Sequence, residues 1–71
     1  MKEIYIKTEY ITLGQFLKLC GAVDSGVVAK IVIQDGEVLV NNEVDTRRGK
    51  KLRNGDTVTF DGMTYIVKNE A

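Results

Sequence analysis

Half of the positive charge of this sequence lies in one short segment. The chain carries ten basic and ten acidic residues, so its formal net charge is zero. Five of the basic residues fall within seven positions that contain no acid: Arg47, Arg48, Lys50, Lys51 and Arg53. Guanidinium groups bind phosphate through paired hydrogen bonds, and lysines add mobile point charges. A polyanion would relieve the self-repulsion of such a run and release counterions, so the segment predicts a phosphate-binding surface.

A simpler interpretation of the same segment stays open. Basic runs in small domains are often solvated loops, and Asp45 and Asp56 flank this one and could neutralise part of its charge. Arg53 lies three residues before Asp56 and could form a salt bridge with it near a turn. Gly49 separates the two basic pairs and would let the backbone pass close to a phosphate.

The residue types that most catalytic sites need are scarce. The sequence contains no histidine and one cysteine, Cys20. Nucleophile–histidine chemistry is therefore excluded, and a zinc site would have to combine one thiolate with carboxylates. Metal-free catalysis by paired carboxylates stays open, but no two acids are compellingly placed for it. We predict a non-enzymatic protein without metal or cofactor, with Cys20 as a small buried apolar residue.

The length and hydrophobic content suit one small domain. Seventy-one residues, 44% of them hydrophobic, can build one compact core of modest stability. No apolar run approaches the roughly 20 residues that span a bilayer. The N-terminal MKEIYIKTEY alternates polar and apolar residues and lacks the apolar stretch of a secretory signal. We expect a cytoplasmic protein with a single domain over residues 1–71.

Two periodicities near the N-terminus predict a strand followed by a helix. Ile4 and Ile6 lie on one face of an alternating segment, which is typical of a strand with one buried face. The next apolar residues are spaced as on one face of a helix: Leu13, Phe16, Leu17 and Cys20. The predicted helix is about two to three turns long.

The ends of this first helix carry recognisable signals. Thr12 and Gln15 fit a capping box, and Gly21 can close the C-terminus. Lys18 points away from the apolar face. Gly14 weakens the helix by up to about 1 kcal/mol relative to alanine.

The segment from residue 24 to residue 36 fits two structures. Asp24 or Ser25 can cap a helix, Gly36 can end it, and Lys30 stands isolated among apolar residues. The many β-branched residues instead favour a strand, and QDGE resembles a hairpin turn before EVLV. The residues alone support a helix and a hairpin about equally.

Strand and turn signals dominate the second half of the chain. Glu37 to Val40 fits a strand that ends at an Asn41-Asn42 turn, because asparagine tolerates positive φ. A Gly55-Asp56 turn precedes an alternating strand, and Asp61-Gly62 is a strong hairpin signal. With two helices in the first half, these strands predict an α+β domain.

The order of several short motifs resembles the S4 RNA-binding domain, or αL motif, named after protein four of the small ribosomal subunit. In that family a helix built around Leu and Phe precedes a second helix that begins at Ser and contains Ala followed by a basic residue. The second helix ends at a Gly before a Val-x-Val-Asn strand, and a later Gly-Asp opens the last strand. The matching residues here are Leu13, Phe16, Ser25, Ala29-Lys30, Gly36, Val38, Val40-Asn41 and Gly55-Asp56. The RRGKKL insert is similar to that of the small stand-alone bacterial members.

The resemblance implies an α+β fold in which two short N-terminal helices pack on a small, twisted, mainly antiparallel sheet. The motif core would span about residues 12–60, with Asp24 to Asp35 as the second helix. Thr12 and Gly26 stand where the family often has arginine. The basic segment would supply the missing charge and would border one groove with Lys30 on the second helix.

The ligand that the resemblance implies is structured RNA, with ribosomal RNA or a ribosome-assembly intermediate as the expected target. The residues expected to contact it are Lys18, Lys30, Arg47, Arg48, Lys50, Lys51 and Arg53. The three tyrosines are expected mainly to pack on sheet faces, which favours recognition of RNA shape and phosphates over reading of unpaired bases. We expect a monomer without membrane association.

Two other functions remain open from the sequence. Small β-grasp proteins share this size, an early strand, a Val-x-Val-Asn segment and a late Gly-Asp. Sulfur carriers of that group use a C-terminal Gly-Gly, and this sequence ends in VKNEA, so this alternative is a β-grasp-like module that binds protein. Double-stranded DNA, contacted by the same cations, is the other alternative.

Overall fold

The computed structural model describes residues 1–70, which form two helices and seven short strands. In chain order the elements are β1 (Lys2–Ile6), β2 (Ile11–Thr12), α1 (Leu13–Leu19), α2 (Gly26–Gln34), β3 (Val38–Val40), β4 (Glu43–Val44), β5 (Lys51–Leu52), β6 (Thr57–Phe60) and β7 (Met63–Asn69). The predicted α+β class is confirmed. The helices lie in the N-terminal half but follow β1 and β2, so they do not open the chain.

The main sheet has five strands in the order β1-β7-β6-β3-β4. β1 pairs with β7 in parallel, with Lys2 opposite Tyr65. The other neighbouring strands are antiparallel, so the sheet is mixed and mainly antiparallel. β2 and β5 form a separate antiparallel ladder with Ile11 opposite Leu52. This ladder joins the basic segment, residues 47–53, to the start of α1.

The segment that fitted both a helix and a hairpin forms α2. The Ser25 hydroxyl accepts a hydrogen bond from the Val28 amide at 3.3 Å, which caps the N-terminus. At the other end Gly36 adopts a φ of 79° and donates to the Ile33 carbonyl, which closes the helix. Ala29 and Ile33 are fully buried. Packing in the core therefore selects the helix despite its β-branched residues.

The start of α1 differs from the predicted capping box. Thr12 is the N-cap residue, but its side chain makes no capping hydrogen bond. Instead the first two amides of the helix, those of Leu13 and Gly14, donate to the carbonyls of Lys50 at 2.8 Å and Arg48 at 3.0 Å. The predicted capping box is therefore wrong. The backbone carbonyls of the basic segment supply the hydrogen-bond acceptors for these amides instead.

Two tight turns have the backbone that their sequences predicted. Asn41 and Asn42 have φ values of 51° and 69°, and Asp61 and Gly62 have φ values of 52° and 78°. Two successive positive φ values are typical of the two-residue turn that matches the twist of a hairpin. The first turn joins β3 to β4 and the second joins β6 to β7. Both turn predictions are confirmed.

The core is built from both helices and from strands of both sheets. Phe16 of α1 meets Tyr65 of β7 edge to face, with ring centroids 6.3 Å apart. Ile33 of α2 and Leu52 of β5 are fully buried. Cys20 packs at the margin of this core and is only partly buried, less than the sequence predicted. Within residues 1–70, no helix has the length and apolar character needed to cross a membrane.

Candidate nucleic-acid interface

The basic segment is held against the start of α1 by its own backbone. The Lys50 amide donates to the Arg47 carbonyl at 3.1 Å, which closes a turn with Arg48 and Gly49 at its tip. The carbonyls of Arg48 and Lys50 accept from the first amides of α1, and Lys51 belongs to the β2–β5 ladder. These bonds tie the turn to the helix, so its side chains start from defined positions.

A groove between the helices and this turn brings together part of the predicted site. We call it the helix groove; its lining residues are Thr12, Gly14, Gln15, Lys18, Gly26, Arg48 and Gly49. Lys18 and Arg48 are exposed and form no salt bridge within residues 1–70. Lys30 lies four residues after Gly26 on α2, and residues four apart share a helix face. Lys30 therefore lies on the same side of α2 as Gly26, although it does not line the helix groove itself.

Gly14 leaves the space that the Arg48 side chain occupies. An ideal Cβ on Gly14 would lie 2.8 Å from the Arg48 Cγ and 3.4 Å from its Cδ. Carbon atoms pack at about 3.5–4.0 Å, so a side chain at position 14 would push the arginine away. In the sequence Gly14 is a weak point of a helix; in the structure it admits Arg48 to the helix groove. The two positions are far apart in the chain, so no local pattern reveals this contact.

Arg47 and Lys50 lie at a hollow beside the β3–β4 hairpin, which we call the hairpin hollow. The other residues that line it are Val40, Asn41, Glu43, Val44 and Asp45. Arg47 binds Asp45 through two guanidinium hydrogen bonds, from Nε to Oδ1 at 3.0 Å and from Nη2 to Oδ2 at 2.7 Å. The Arg47 side chain thereby holds the pKa of Asp45 below its usual value, and Asp45 raises the pKa of Arg47. The neutralisation by Asp45 that the sequence allowed is thus present at Arg47.

Lys51 and Arg53 lie around the exposed ring of Tyr10. The Lys51 Nζ is 4.8 Å and the Arg53 Cζ is 5.4 Å from the ring centroid, within the roughly 6 Å range of a cation–π interaction. The Arg53 Nη1 also pairs with the Glu9 Oε1 at 3.2 Å. Asp56 accepts a 2.7 Å hydrogen bond from the backbone amide of Arg53. The salt bridge proposed between the Arg53 and Asp56 side chains is therefore wrong.

The seven candidate residues thus occupy three surfaces instead of one groove. Lys18 and Arg48 line the helix groove, and Lys30 follows one turn after Gly26 on α2. Arg47 and Lys50 lie at the hairpin hollow, and Lys51 and Arg53 lie at Tyr10. Tyr10 was not among the predicted contacts, because the sequence favoured sheet packing for the tyrosines and no local signal shows that β2 pairs with β5. Tyr65 packs in the core as expected of the tyrosines, whereas Tyr5 and Tyr10 are exposed.

Metal ligands and the one thiol were the candidate groups for chemistry other than anion binding. Within residues 1–70, no group of three or more His, Cys, Asp or Glu side chains is placed to hold a metal ion. Burial raises the pKa of the Cys20 thiol, so its reactive thiolate form is disfavoured at neutral pH. The exposed cations of this surface can bind anions.

Known proteins resemble this chain in sequence and in fold. A family model described as the S4 domain matches residues 4–68. The "Probable ribosome maturation protein RlbA" of Bacillus subtilis (strain 168) is 56% identical over 60 residues, which cover 84% of each chain. The "Putative RNA-binding protein YbcJ" of Escherichia coli (strain K12) is 43% identical over 61 residues, 86% of this chain and 87% of that protein. The solution structure of E. coli YbcJ, described as revealing an αL motif involved in RNA binding, aligns with a TM-score of 0.73 and 38% identity over 96% of this chain and 87% of the other.

Proposed function

This chain belongs to the S4 domain family, and from that premise we propose that it is a non-catalytic module that binds structured RNA. The proposed target is ribosomal RNA or a ribosome-assembly intermediate. Two relatives, 56% and 43% identical to this chain, support this proposal, since one is named as a ribosome maturation protein and the other as an RNA-binding protein. The proposed contacts are made chiefly with phosphates, which position a protein on RNA without reading its sequence.

The observation that carries the proposal is the place of Arg48 beside Lys18 in the helix groove. The Arg48 carbonyl accepts a bond from the Gly14 amide, and the stem of its side chain packs against Gly14. This arrangement orders the backbone before a ligand arrives, which lowers the entropic cost of binding. A guanidinium and an ammonium at one groove offer two phosphate ligands, and Lys30 continues the basic surface along α2.

The candidate residues differ in how freely they can take a phosphate. Five of them form no salt bridge within residues 1–70: Lys18, Lys30, Arg48, Lys50 and Lys51. The Arg53–Glu9 pair is exposed on both sides, with side chains 52% and 85% accessible, so exchange of the carboxylate for a phosphate costs little. The Asp45 side chain is only 10% accessible, so Arg47 is held more firmly. We propose that Arg47 is the weakest RNA ligand of the seven.

The proposal includes a single domain over residues 1–71, with its motif core at about residues 12–60. The family match to residues 4–68 supports one unit, as does the pairing of β1 with β7, because both strands lie outside that core. We propose that the domain acts as a cytoplasmic monomer without a cofactor.

The salt dependence of RNA binding tests the proposal. Each phosphate contact contributes about −0.7 to −0.9 to the slope of log K against log salt. Five contacts therefore predict a slope of about −3.5 to −4.5. Raising KCl from about 50 to about 200 mM should then weaken binding about 130- to 500-fold. Fluorescence anisotropy with a labelled RNA hairpin measures this slope.

Two charge-matched variants locate the contacts. Lys18→Ala/Arg48→Ala removes two cations from the helix groove and should reduce the steepness of the slope by about 1.4 to 1.8. Lys2→Ala/Lys68→Ala removes the same charge from β1 and β7 and should leave the slope within about 0.5 of the wild type. Equal slopes for the two variants, or a wild type that binds no RNA hairpin, would contradict the proposal.

A competition experiment and a pull-down separate the alternative ligands. A DNA duplex should displace the labelled RNA hairpin less well than the unlabelled RNA of matched sequence does, and equal displacement would favour duplex DNA. A protein partner is the second candidate function, because the outer side of α2 leaves Val27, Val28 and Ile31 69%, 41% and 51% exposed. Partners that survive RNase treatment in a pull-down would favour protein binding.

A further inference from the structure

Tyr10 is an aromatic side chain that the core does not use. It is 39% exposed, whereas Tyr65 is 7% exposed and packs against Phe16. Tyr10 lies in the link between β1 and β2, where the Thr8 Oγ1 donates a hydrogen bond to the Tyr10 carbonyl at 2.7 Å. This bond fixes the backbone of the link, so the ring is presented to solvent from a defined position.

The β2–β5 ladder places two cations at this ring. Ile11, which follows Tyr10, pairs with Leu52, and Leu52 is fully buried. Successive strand residues point to opposite faces, so Lys51 and Arg53, on either side of Leu52, both point outward. Both approach the Tyr10 ring within cation–π range. An exposed π face and two cations are therefore held together by backbone pairing.

A groove distinct from the helix groove and the hairpin hollow lies between Tyr10 and α1. We call it the tyrosine groove; it has a volume of about 810 Å³ and is lined by Thr8, Glu9, Tyr10, Ile11, Gln15, Lys18 and Leu19. Leu19 is 55% exposed and, with Ile11, adds apolar surface to the ring. The Gln15 amide can both donate and accept hydrogen bonds. Gln15 and Lys18 also line the helix groove, so the two grooves adjoin.

We propose that the tyrosine groove is a stacking site for one unpaired nucleotide of the bound RNA. The inference rests on the proposed function, since the helix groove would hold the phosphates of the adjoining structured RNA. The base stacks on the Tyr10 ring, and its edge meets the Gln15 amide. Lys51 and Arg53 leave the ring as the base arrives and bind the flanking phosphates.

The chemistry of the groove fits a nucleotide because it combines an aromatic face with cations. Every base has a π face, so stacking on an aromatic side chain tolerates any base. The site therefore selects an unpaired nucleotide and not a particular base. Glu9 pairs with Arg53 in the free protein, so an anion must displace a carboxylate to enter. A nucleotide gains the stacking contact in exchange, whereas a simple anion does not.

Two hairpin RNAs with the same stem test the inference, one fully paired and one with a single bulged 2-aminopurine nucleotide. The wild type should prefer the bulged hairpin and quench the 2-aminopurine fluorescence, because stacking on the ring quenches it. Tyr10→Ala should abolish the quenching and weaken binding of the bulged hairpin about 5- to 150-fold. Its binding of the paired hairpin should change by less than about twofold. Tyr10→Phe keeps the ring and should retain the quenching.

Tyr5→Ala is the matched control. Tyr5 is 53% exposed on β1 and lines neither groove, so this variant should behave as the wild type with both RNAs. If Tyr10→Ala weakened both hairpins equally and left the quenching intact, Tyr10 would only position cations, and the inference would be overturned. A wild type that binds both hairpins equally overturns the inference and leaves the proposed function standing. A wild type that binds neither hairpin overturns both.

Discussion

Replacing Gly14 with alanine should change stability by an amount that depends on residue 48. In an unobstructed helix this change stabilises by up to about 1 kcal/mol. Here the new Cβ would lie 2.8 Å from the Arg48 Cγ, roughly 0.7 to 1.2 Å closer than carbon atoms prefer. Arg48 must then move or adopt an unfavourable torsion, at a cost of about 0.5–1.5 kcal/mol. Because gain and cost nearly cancel, Gly14→Ala alone should shift the free energy of unfolding by at most about 0.5 kcal/mol.

A double-mutant cycle separates the steric contact from helix propensity. Arg48→Ala removes the Cγ and Cδ atoms that crowd the new Cβ, and the carbonyl oxygen of residue 48 lies at an ordinary 3.6 Å from it. In that background Gly14→Ala should stabilise the domain by about 0.5–1 kcal/mol. The coupling energy between the two positions should be about 0.5–1.5 kcal/mol. Urea denaturation followed by circular dichroism gives the four free energies of unfolding.

A small coupling energy would refute the reasoning. Independent sites add within about 0.3–0.5 kcal/mol, and a value in that range would show that Gly14 is not required to admit Arg48. Gly26→Ala is the control, because a Cβ on Gly26 meets nothing within 4 Å and its effect should not depend on Arg48. If Arg48 binds phosphate, Gly14→Ala should also reduce the steepness of the RNA salt slope by up to about 0.9.

Two further outcomes concern the β3–β4 hairpin and the acid that follows it. The Arg47 side chain lowers the pKa of Asp45, so this carboxylate stabilises the fold at neutral pH and loses its contribution as the pH falls through its folded pKa. Asp45→Asn should therefore flatten the fall of the urea midpoint between about pH 5 and pH 2; an unchanged pH profile would contradict this. Asn41 has a φ of 51°, and its Oδ1 accepts the Thr57 amide. Asn41→Ala should destabilise the domain by about 1 kcal/mol more than Asn41→Gly, since only glycine adopts this φ freely. Urea denaturation measures both variants, and equal losses of unfolding free energy would contradict this prediction.

Secondary structure was predictable where the local signal determines the backbone by itself. The turns at Asn41-Asn42 and Asp61-Gly62 were predictable because the positive φ values that the turn requires depend on the residue types within it. α2 was not decided by its own residues, since Val27, Val28 and Ile31 favour a strand. The burial of Ala29 and Ile33 in the core decides it. This burial depends on tertiary packing, so only the family resemblance predicted the helix.

For the candidate site, the sequence revealed the charge but not its arrangement. Neighbouring cations along a chain need not share a surface, because a turn with Arg48 at its tip directs Arg47 and Arg48 to different hollows. Arg53 pairs with Glu9, 44 positions away, in place of the nearby Asp56. The contact of Arg48 with Gly14 and the approach of Lys51 to Tyr10 both depend on a two-residue ladder, β2 with β5. A ladder this short leaves no periodicity to read.

The zero net charge and the basic segment are parts of one arrangement. The resemblance to the S4 family led us to expect arginines where the sequence has Thr12 and Gly26, and the basic segment brings Arg48 to the same region by capping α1 with its carbonyls. The acids do not cancel this charge evenly. Asp45 and Glu9 pair with the cations at the two ends of the segment, while its middle forms no salt bridge within residues 1–70.

This uneven pairing determines what kind of anion can bind. A neutral protein exerts little long-range attraction on polyanions, so affinity must come from short-range contacts with the unpaired cations. Those cations lie in the middle of the basic segment and along α1 and α2, and the RNA that we propose as the ligand would place several phosphates there at once. The salt slope counts these local contacts and not the net charge. A steep slope from a chain with zero net charge is therefore the behaviour that separates a fixed phosphate-binding surface from a solvated basic loop.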